Sequence, residues 1–457
     1  MIAADNTYFE KLGENHFQEV VAKLEKLWTS SSAYPVPMMA PNVLGNTLLI
    51  ADTCIEPGDQ NNNQIKANKS ILNVRTSEPV TTVTARVQTE ELRNNSSPEA
   101  SIRSSNSSSS SSSRTTYETV LVWRNIIAFI YLHSGFLYGG YLLMTSAKIS
   151  TFLLALALGM FGAFGITAGA HRLWSHRSYK AKWPLRLILM LSQTLAFQNS
   201  IYEWVRDHRV HHKFTDTDAD PHNARRGFFF SHIGWLMVKK HPDVKARGKA
   251  VDMSDLETDG IVMFQKKYYA VLMPLFCFAI PTYMAYHFLD ETFSNSWYIV
   301  AIFRYVLSLN GTWLVNSAAH IWGTKPYDKN ISPTNNTFVG IAAVGEGWHN
   351  YHHVFPWDYK TSELGKYSTN LTTAVIDGFA WLGWAYDLKS VSDEMIKKRV
   401  LRTGDGTHQY SESQLREKMV EYVNQMDHEN ESALWGWDDA DMNEEDRMDA
   451  TVSNKID

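Results

Sequence analysis

Four stretches of this chain are long and apolar enough to cross a bilayer as helices, and this limits the fold more than any other feature. Residues 126–144 and 149–170 contain no Asp, Glu, Lys or Arg; 268–289 contains none either, and 297–319 holds one, Arg304. At the rise of an α-helix, about 20 residues cover the hydrocarbon core. The links within each pair, 145–148 and 290–296, are short, which suits antiparallel neighbours. The pattern predicts an all-α membrane protein with four transmembrane helices in two hairpins.

Charge at the flanks gives the orientation. Arg114 and Arg124 precede the first run; Arg172, Arg177, Lys180, Lys182 and Arg186 follow the second. Lys266 and Lys267 precede the third, and Lys325 and Lys329 follow the fourth. The 290–296 link has no Lys or Arg. The positive-inside rule then puts both termini and the segment 171–265 in the cytosol, and the sequon at Asn94 on a face where it is not glycosylated. Arg304 is costly at membrane depth; snorkelling or pairing with a neighbouring helix would relieve it, and a structural role is expected. The apolar stretch 185–197 is too short to span and predicts an interfacial helix, as does 372–388.

The flanking segments differ in kind. Residues 1–117, with a serine run at 107–113, are expected to be mostly disordered, apart from an amphipathic helix near 17–28. At the other end, residues 401–457 carry 15 acidic and 5 basic side chains, so 406–457 predicts a solvated acidic cytosolic tail. The body, 118–405, is mildly basic by comparison. Two cysteines, Cys54 and Cys277, offer neither a disulfide framework nor a thiolate metal site.

Within the body, HRVHH (208–212) and HNYHH (349–353) each place three histidines at offsets 0, 3 and 4, which share one helical face. HRLWSH adds His171 and His176; their spacing of five fits no clean α-helical face and predicts a helix end or a distortion. His320 closes the fourth apolar run. Nine of the 17 histidines, His171, His176, His208, His211, His212, His320, His349, His352 and His353, therefore gather on the cytosolic side. A lone histidine on a helix is ordinarily a satisfied polar residue, but nine together make sense as metal ligands. One zinc takes four ligands at most, so nine suggest two ions. The absence of HExxH argues against zinc proteolysis, and chemistry on an unreactive C–H bond with O2 needs a redox metal. Two irons are the natural choice.

Residues 120–405 resemble the animal membrane acyl-CoA desaturases, the stearoyl-CoA desaturase family. The stretches that carry the resemblance are GITAGAHRLWSH (165–176), EWVRDHRVHHKF (203–214), DADPHNARRGFFFSH (218–232), TWLVNSAAH (312–320) and GEGWHNYHHVFPWDY (345–359). The resemblance implies an endoplasmic reticulum enzyme whose cytosolic cap holds two irons (Fe2+/Fe3+) and uses O2 as co-substrate. One iron would take His171, His176, His208, His212 and His352. The other would take His211, His320, His349 and His353, with Asn316 acting through water. The implied acyl-CoA contacts are Asn125, Asn199, Arg206, Asp207, Lys239, Lys240 and Trp313; cationic groups there suit an anionic head group. Where the family is expected to carry Arg-Lys, this chain has Lys239–Lys240.

The function implied is O2-dependent insertion of a double bond, with cis-Δ9 expected, into a long-chain saturated acyl-CoA held in a bent apolar tunnel. Phe228–Phe230 are candidates for tunnel wall or for plain core. No GxGxxG or HPGG stretch is present, and the resemblance implies cytochrome b5 and its NADH-dependent reductase as separate electron donors, endoplasmic reticulum lipid as surroundings, and no nucleic acid. The acidic tail is expected to compete with such a donor for the basic cytosolic face. Alternatives are a desaturase of other regiochemistry such as Δ11, or a related membrane di-iron hydroxylase. A histidine-rich metal transporter fits less well, because its ligands would sit at the membrane midplane.

Overall fold

The computed structural model describes residues 118–411 and 433–455, which are mostly helical; the stretch 17–28 lies outside them. Among the described residues four helices are long and apolar enough to span a membrane: α1 (Trp123–Thr145), α2 (Ile149–Ser175) and, after several shorter helices, α5 (Gly260–Phe288) and α6 (Phe293–Ile321). Two of these shorter helices are α3 (Trp183–Ala196) and α4 (Ile201–Lys213). Beyond α6 lie α7 (His349–Val354), α8 (Leu371–Trp381) and α9 (Asp393–Thr403). Side chains such as Ile130, Leu137 and Met144 stand exposed along α1, as expected of a helix whose outer face meets lipid rather than water.

Three expectations need revision. The third spanning helix begins at Gly260, not 268, because the Asp259 carboxylate accepts from the free N–H groups of Ile261 and Val262 and so caps the helix. Lys266 and Lys267 sit inside its first turns rather than ending it, and the Lys266 ammonium lies 3.4 Å above the Tyr202 ring. The stretch 185–197 is not interfacial. Helix α3 packs against the end of α2 and against α5, with Leu185, Leu189 and Met190 fully buried; past Arg186 it carries no charge, and its polar Ser192, Gln193 and Thr194 are buried too. The stretch 372–388 is helical only as far as Trp381; Gly383 then turns the chain at φ +71 into β2 (Ala385–Tyr386).

Strand β1 (Lys180–Ala181) pairs with β2, and β3 (Leu388–Ser390) pairs antiparallel with β4 (Thr451–Ser453). The second pairing corrects the reading of 406–457 as a solvated tail: residues 433–455 are folded onto the body. The reason is local. Trp435 and Met442 bury their side chains among the acidic residues, and Met442 joins Tyr351, Phe355 and Trp357 in one apolar cluster. Side chains of this size gain about 1.5–3 kcal/mol each when buried, enough to hold a polar segment in place. Asp438 and Asp439 meet Arg177 and Lys213 at 3.0 and 2.8 Å.

Arg304 is buried within the bundle. Its guanidinium donates to the carbonyls of Val300 (2.9 Å), Cys277 (2.8 Å) and Leu195 (3.4 Å), tying α6 to α5 and α3. It pairs with backbone and does not snorkel.

Candidate metal centre

The nine histidines come together at one end of the helix bundle, and each arrives by a different local device. Helix α4 is started by Ser200, whose hydroxyl accepts from the Glu203 N–H and bonds the Glu203 carboxylate at 2.8 Å, a capping arrangement that fixes the first turn. Three turns on, His208, His211 and His212 emerge from one side. The last eleven residues of α2, Gly165–Ser175, form a π-helix. Its i to i+5 bonding, continued by the His176 N–H to the His171 carbonyl at 3.2 Å, brings residues five apart onto one face. The odd spacing of His171 and His176 is thereby explained. The π segment needs Gly165, since a Cβ there would lie 2.1 Å from the Gln193 backbone nitrogen on α3. His320 follows the break at Ser317 near the end of α6, and α7 carries the second comb.

The rings sort into two groups. His171, His176, His208, His212 and His352 offer nitrogens within 4.8 Å of one another, as do His211, His320, His349 and His353. A third such set, His211, Asp220 and His222, shares His211 with the second. Within the first group His171 Nε2 lies 2.9 Å from His352 Nε2, which lies 3.0 Å from His212 Nε2; His176 and His208 approach to 3.0 Å through the same atoms. In the second, His349 Nε2 is 3.0 Å from His320 Nε2 and 3.1 Å from His353 Nε2.

Four of the nine Nδ1 atoms face fixed partners. Nδ1 of His171 faces Glu346 at 2.8 Å, that of His211 faces Asp220 at 2.9 Å, and that of His320 faces Asp216 at 3.1 Å. Nδ1 of His176 donates to the Trp435 carbonyl at 2.5 Å. With its proton on Nδ1, a neutral imidazole presents a bare lone pair at Nε2. Lone pairs at 3 Å from one another repel unless a cation lies among them. Two nitrogens each about 2.1 Å from one ion, at a right angle, lie about 3.0 Å apart. The residues present therefore fit two metal ions.

The electrostatics agree. Burial, then the neighbouring imidazoles, holds His176, His208, His212, His349, His352 and His353 well below the ordinary value, so they stay neutral and free to ligate. Burial also takes His222 down to about 3. His211 goes the other way: burial opposes its charge, but Asp220 outweighs it. Burial likewise opposes ionisation of Asp216, Asp220 and Glu346, yet their cationic and imidazole partners keep all three below the usual carboxylate range. Glu346 is held further by Arg172, whose Nη2 lies 2.8 Å from Oε1.

Three cavities lead to this centre. The largest, about 210 Å³, runs through the spanning helices from Leu143 and Phe152 past Gly311 to His171, His208 and His349. A second, about 60 Å³, adjoins it at Trp204, His208, Thr312 and Asn316. A third, about 20 Å³, meets the second at Trp235 and is flanked by Arg226, Lys239 and Lys240. An apolar cavity thus adjoins, through shared wall residues, a smaller one beside the histidines and then an outer one where Arg226, Lys239 and Lys240 stand with Asp218 and Asp220.

Two comparisons bear on what this arrangement belongs to. A fatty acid desaturase family model matches residues 147–376. An acyl-CoA Delta-9 desaturase of Acheta domesticus is 60% identical over 342 residues, covering 75% of this chain and 88% of that protein. The chain belongs to the fatty acid desaturase family. An acyl-CoA Delta12-desaturase of the same species is 56% identical over 339 residues, covering 74% of this chain and 88% of that protein. The stearoyl-CoA desaturase of Homo sapiens is 56% identical over 287 residues, 63% of this chain and 79% of that protein.

Against this desaturase background the remaining expected residues separate. Asn199, Asp207 and Trp313 line the middle cavity, and Asn316 lines both the middle and the large one. Lys239 and Lys240 line the outer one, where the Lys240 ammonium pairs with Asp207. Arg206 supports Asp207 at 3.1 Å and lines none of the three. Asn125 is buried and donates to the Leu236 carbonyl at 2.7 Å, holding the wall of the middle cavity rather than facing it. The phenylalanines 228–230 are not tunnel wall: Phe228 and Phe229 are exposed, and Phe230 lies at the outer mouth under the Arg226 guanidinium. Sequence reasoning missed Asp216, Asp220, Glu346 and Trp435. The first three stand next to the histidine motifs, where a carboxylate that orients an imidazole reads like any loop acid; Trp435 acts through its backbone and leaves no signal.

Proposed function

We propose that this chain is an iron-dependent acyl-CoA desaturase of the endoplasmic reticulum membrane. It removes two hydrogens from adjacent methylenes of a long-chain saturated acyl-CoA to leave a double bond, with cis-Δ9 as the expected position. The observation that carries this reading is the succession of adjoining cavities from Lys239 and Lys240, past the two groups of histidines, to an apolar one among the membrane helices.

The nine histidines would hold two irons, five on one and four on the other, with Asn316 reaching the second through water. Bound there, the irons would supply the oxidising power, drawn from O2, that an unactivated C–H bond requires. Every other part is played by the protein. Lys239 and Lys240, near Asp207, would meet the phosphates of the nucleotide head as point charges. Asn199 and Trp313 would flank the acyl chain where it passes inward, and the large cavity would fix which carbons lie beside His171, His208 and His349. Positioning a featureless chain is the whole of the selectivity problem. The walls also keep water from the reacting carbons. In balance, O2 takes two electrons from the substrate C–H bonds and two from outside, and with two protons leaves as two waters. Those outside electrons would come from cytochrome b5 and its NADH-dependent reductase, on the cytosolic side where both termini would lie.

Expression in yeast lacking its own desaturase, with double-bond positions of cellular lipids read by mass spectrometry, tests this reading. A new monounsaturated acid that is absent with His349→Ala supports it and gives the position directly. A hydroxylated product, or none from a protein that reaches the membrane with iron bound, would overturn it.

A further inference from the structure

We infer that the C-terminal segment 434–442 is a built-in part of the metal centre, and that it fixes the ring of His176. The inference rests on the reading of the histidine groups as an iron site.

His176 stands apart from the rest of its group. The others of its group sit within α2, α4 or α7, whereas His176 lies just past the last residue of the π segment and is followed by Arg177 at φ +51. Its helix places His176 through one backbone bond to the His171 carbonyl but leaves the ring to be held from elsewhere. A ligating histidine almost always gives its second N–H to a fixed acceptor. For His171, His211 and His320 that acceptor is a carboxylate. For His176 it is the Trp435 carbonyl, 259 residues further along the chain.

The segment is shaped to deliver that carbonyl. Trp437 N–H donates to the His176 carbonyl at 3.0 Å, so the two stretches are joined by both main-chain and ring bonds. Gly436 lies between them, where a Cβ would come within 2.5 Å of the His176 carbonyl oxygen. Trp435 N–H donates to Asp439 at 2.8 Å, and Asp439 meets Lys213 at 2.8 Å, closing the turn onto α4. The Trp435 ring is covered by the Arg209 guanidinium at 4.2 Å. Arg209 is itself fully buried, stands between His208 and His211 within the comb of α4, and donates to the carbonyls of Trp174 and Ser175. The tail, α4 and the end of α2 are one hydrogen-bonded unit around His176.

The test is iron release from the full-length protein, purified in detergent, to an excess of chelator. Outer partners of metal ligands typically contribute 10–100-fold in affinity. Gly436→Val should speed release of one of the two irons by at least about tenfold. Leu142→Ala, which loosens the apolar cluster that α1 forms with Ala285 and Val300 and that includes none of the histidines, should leave release at the wild-type rate even if it lowers the unfolding temperature. A second version carries a protease site within 412–432, cut after purification, so that folding precedes the break; washing away the cut segment should give the same fast phase. Wild-type release from Gly436→Val and from the cut protein would overturn this inference alone, as would equal acceleration by Leu142→Ala. A wild-type chain without two irons would overturn the metal reading and this inference with it.

Discussion

The Glu346 carboxylate faces the Nδ1 of His171 at 2.8 Å, with both side chains buried, while its other oxygen takes the guanidinium of Arg172. One carboxylate thus orients a metal-ligating ring and neutralises an arginine that has no access to water. Glu346→Gln keeps the shape and removes the charge. It should lower iron affinity about 10–100-fold, measured by competition with a chelator. It should also destabilise the fold, because losing one partner of a buried ion pair costs about 3–5 kcal/mol. Unchanged iron affinity would mean that His171 is not oriented through Glu346.

Asp220 plays the same part in the second group, facing His211 at 2.9 Å and His222 at 3.4 Å. Asp220→Asn should lower the occupancy of one iron per chain by about the same factor, leaving the other in place. Metal analysis after dialysis reads the difference. Loss of both irons together would show that the groups do not bind independently.

Protons compete with metal at these rings. Six histidines are held well below the ordinary imidazole value of about 6.5 by burial and by their neighbours. Below about pH 6.5 the unfolded chain binds protons that the folded chain refuses, so the metal-free protein loses stability as pH falls. The unfolding temperature of chelator-treated protein should fall steadily from about pH 7 to about pH 5, and iron should delay the fall. A flat metal-free profile over that range would contradict the neutral, buried state of these rings.

Gly311 lines the large cavity, and a Cβ there would touch only the Ala342 carbonyl, at 3.4 Å. Gly311→Phe should fill the cavity. Turnover of 18-carbon acyl-CoA should fall at least about tenfold, about 1.4 kcal/mol, with shorter chains less affected and iron content intact. Equal loss on every chain length would place the acyl chain elsewhere.

Lys239 and Lys240 stand at the outer mouth. Replacing both with Ala should raise KM for acyl-CoA about tenfold with kcat little changed, the mark of lost ground-state binding. The effect should shrink at high salt. A fall in kcat at constant KM would argue against a head-group site.

What the sequence made legible was set by how each feature is encoded. The spanning helices are written in continuous apolar runs, and the histidine combs in i, i+3, i+4 spacing. Even the irregular pair His171 and His176 announced a distortion, since five residues match a π turn and no α turn. Lost were features whose cause lies far off in the chain. Helix α3 looked interfacial because a short apolar helix reads alike on a membrane and in a core. The acidic C-terminal stretch looked solvated because its charge count hides Trp435 and Met442. The third spanning helix was cut short because Lys266 and Lys267 suggested an end that Asp259 sets elsewhere.

The central claim is that the two groups of histidines hold two irons. The most direct test is metal content per chain of the purified full-length protein, beside His352→Ala from the first group and His349→Ala from the second. The account predicts two irons in the wild type, and a loss centred on one iron in each variant. A single zinc, or two irons undisturbed by either substitution, would contradict it.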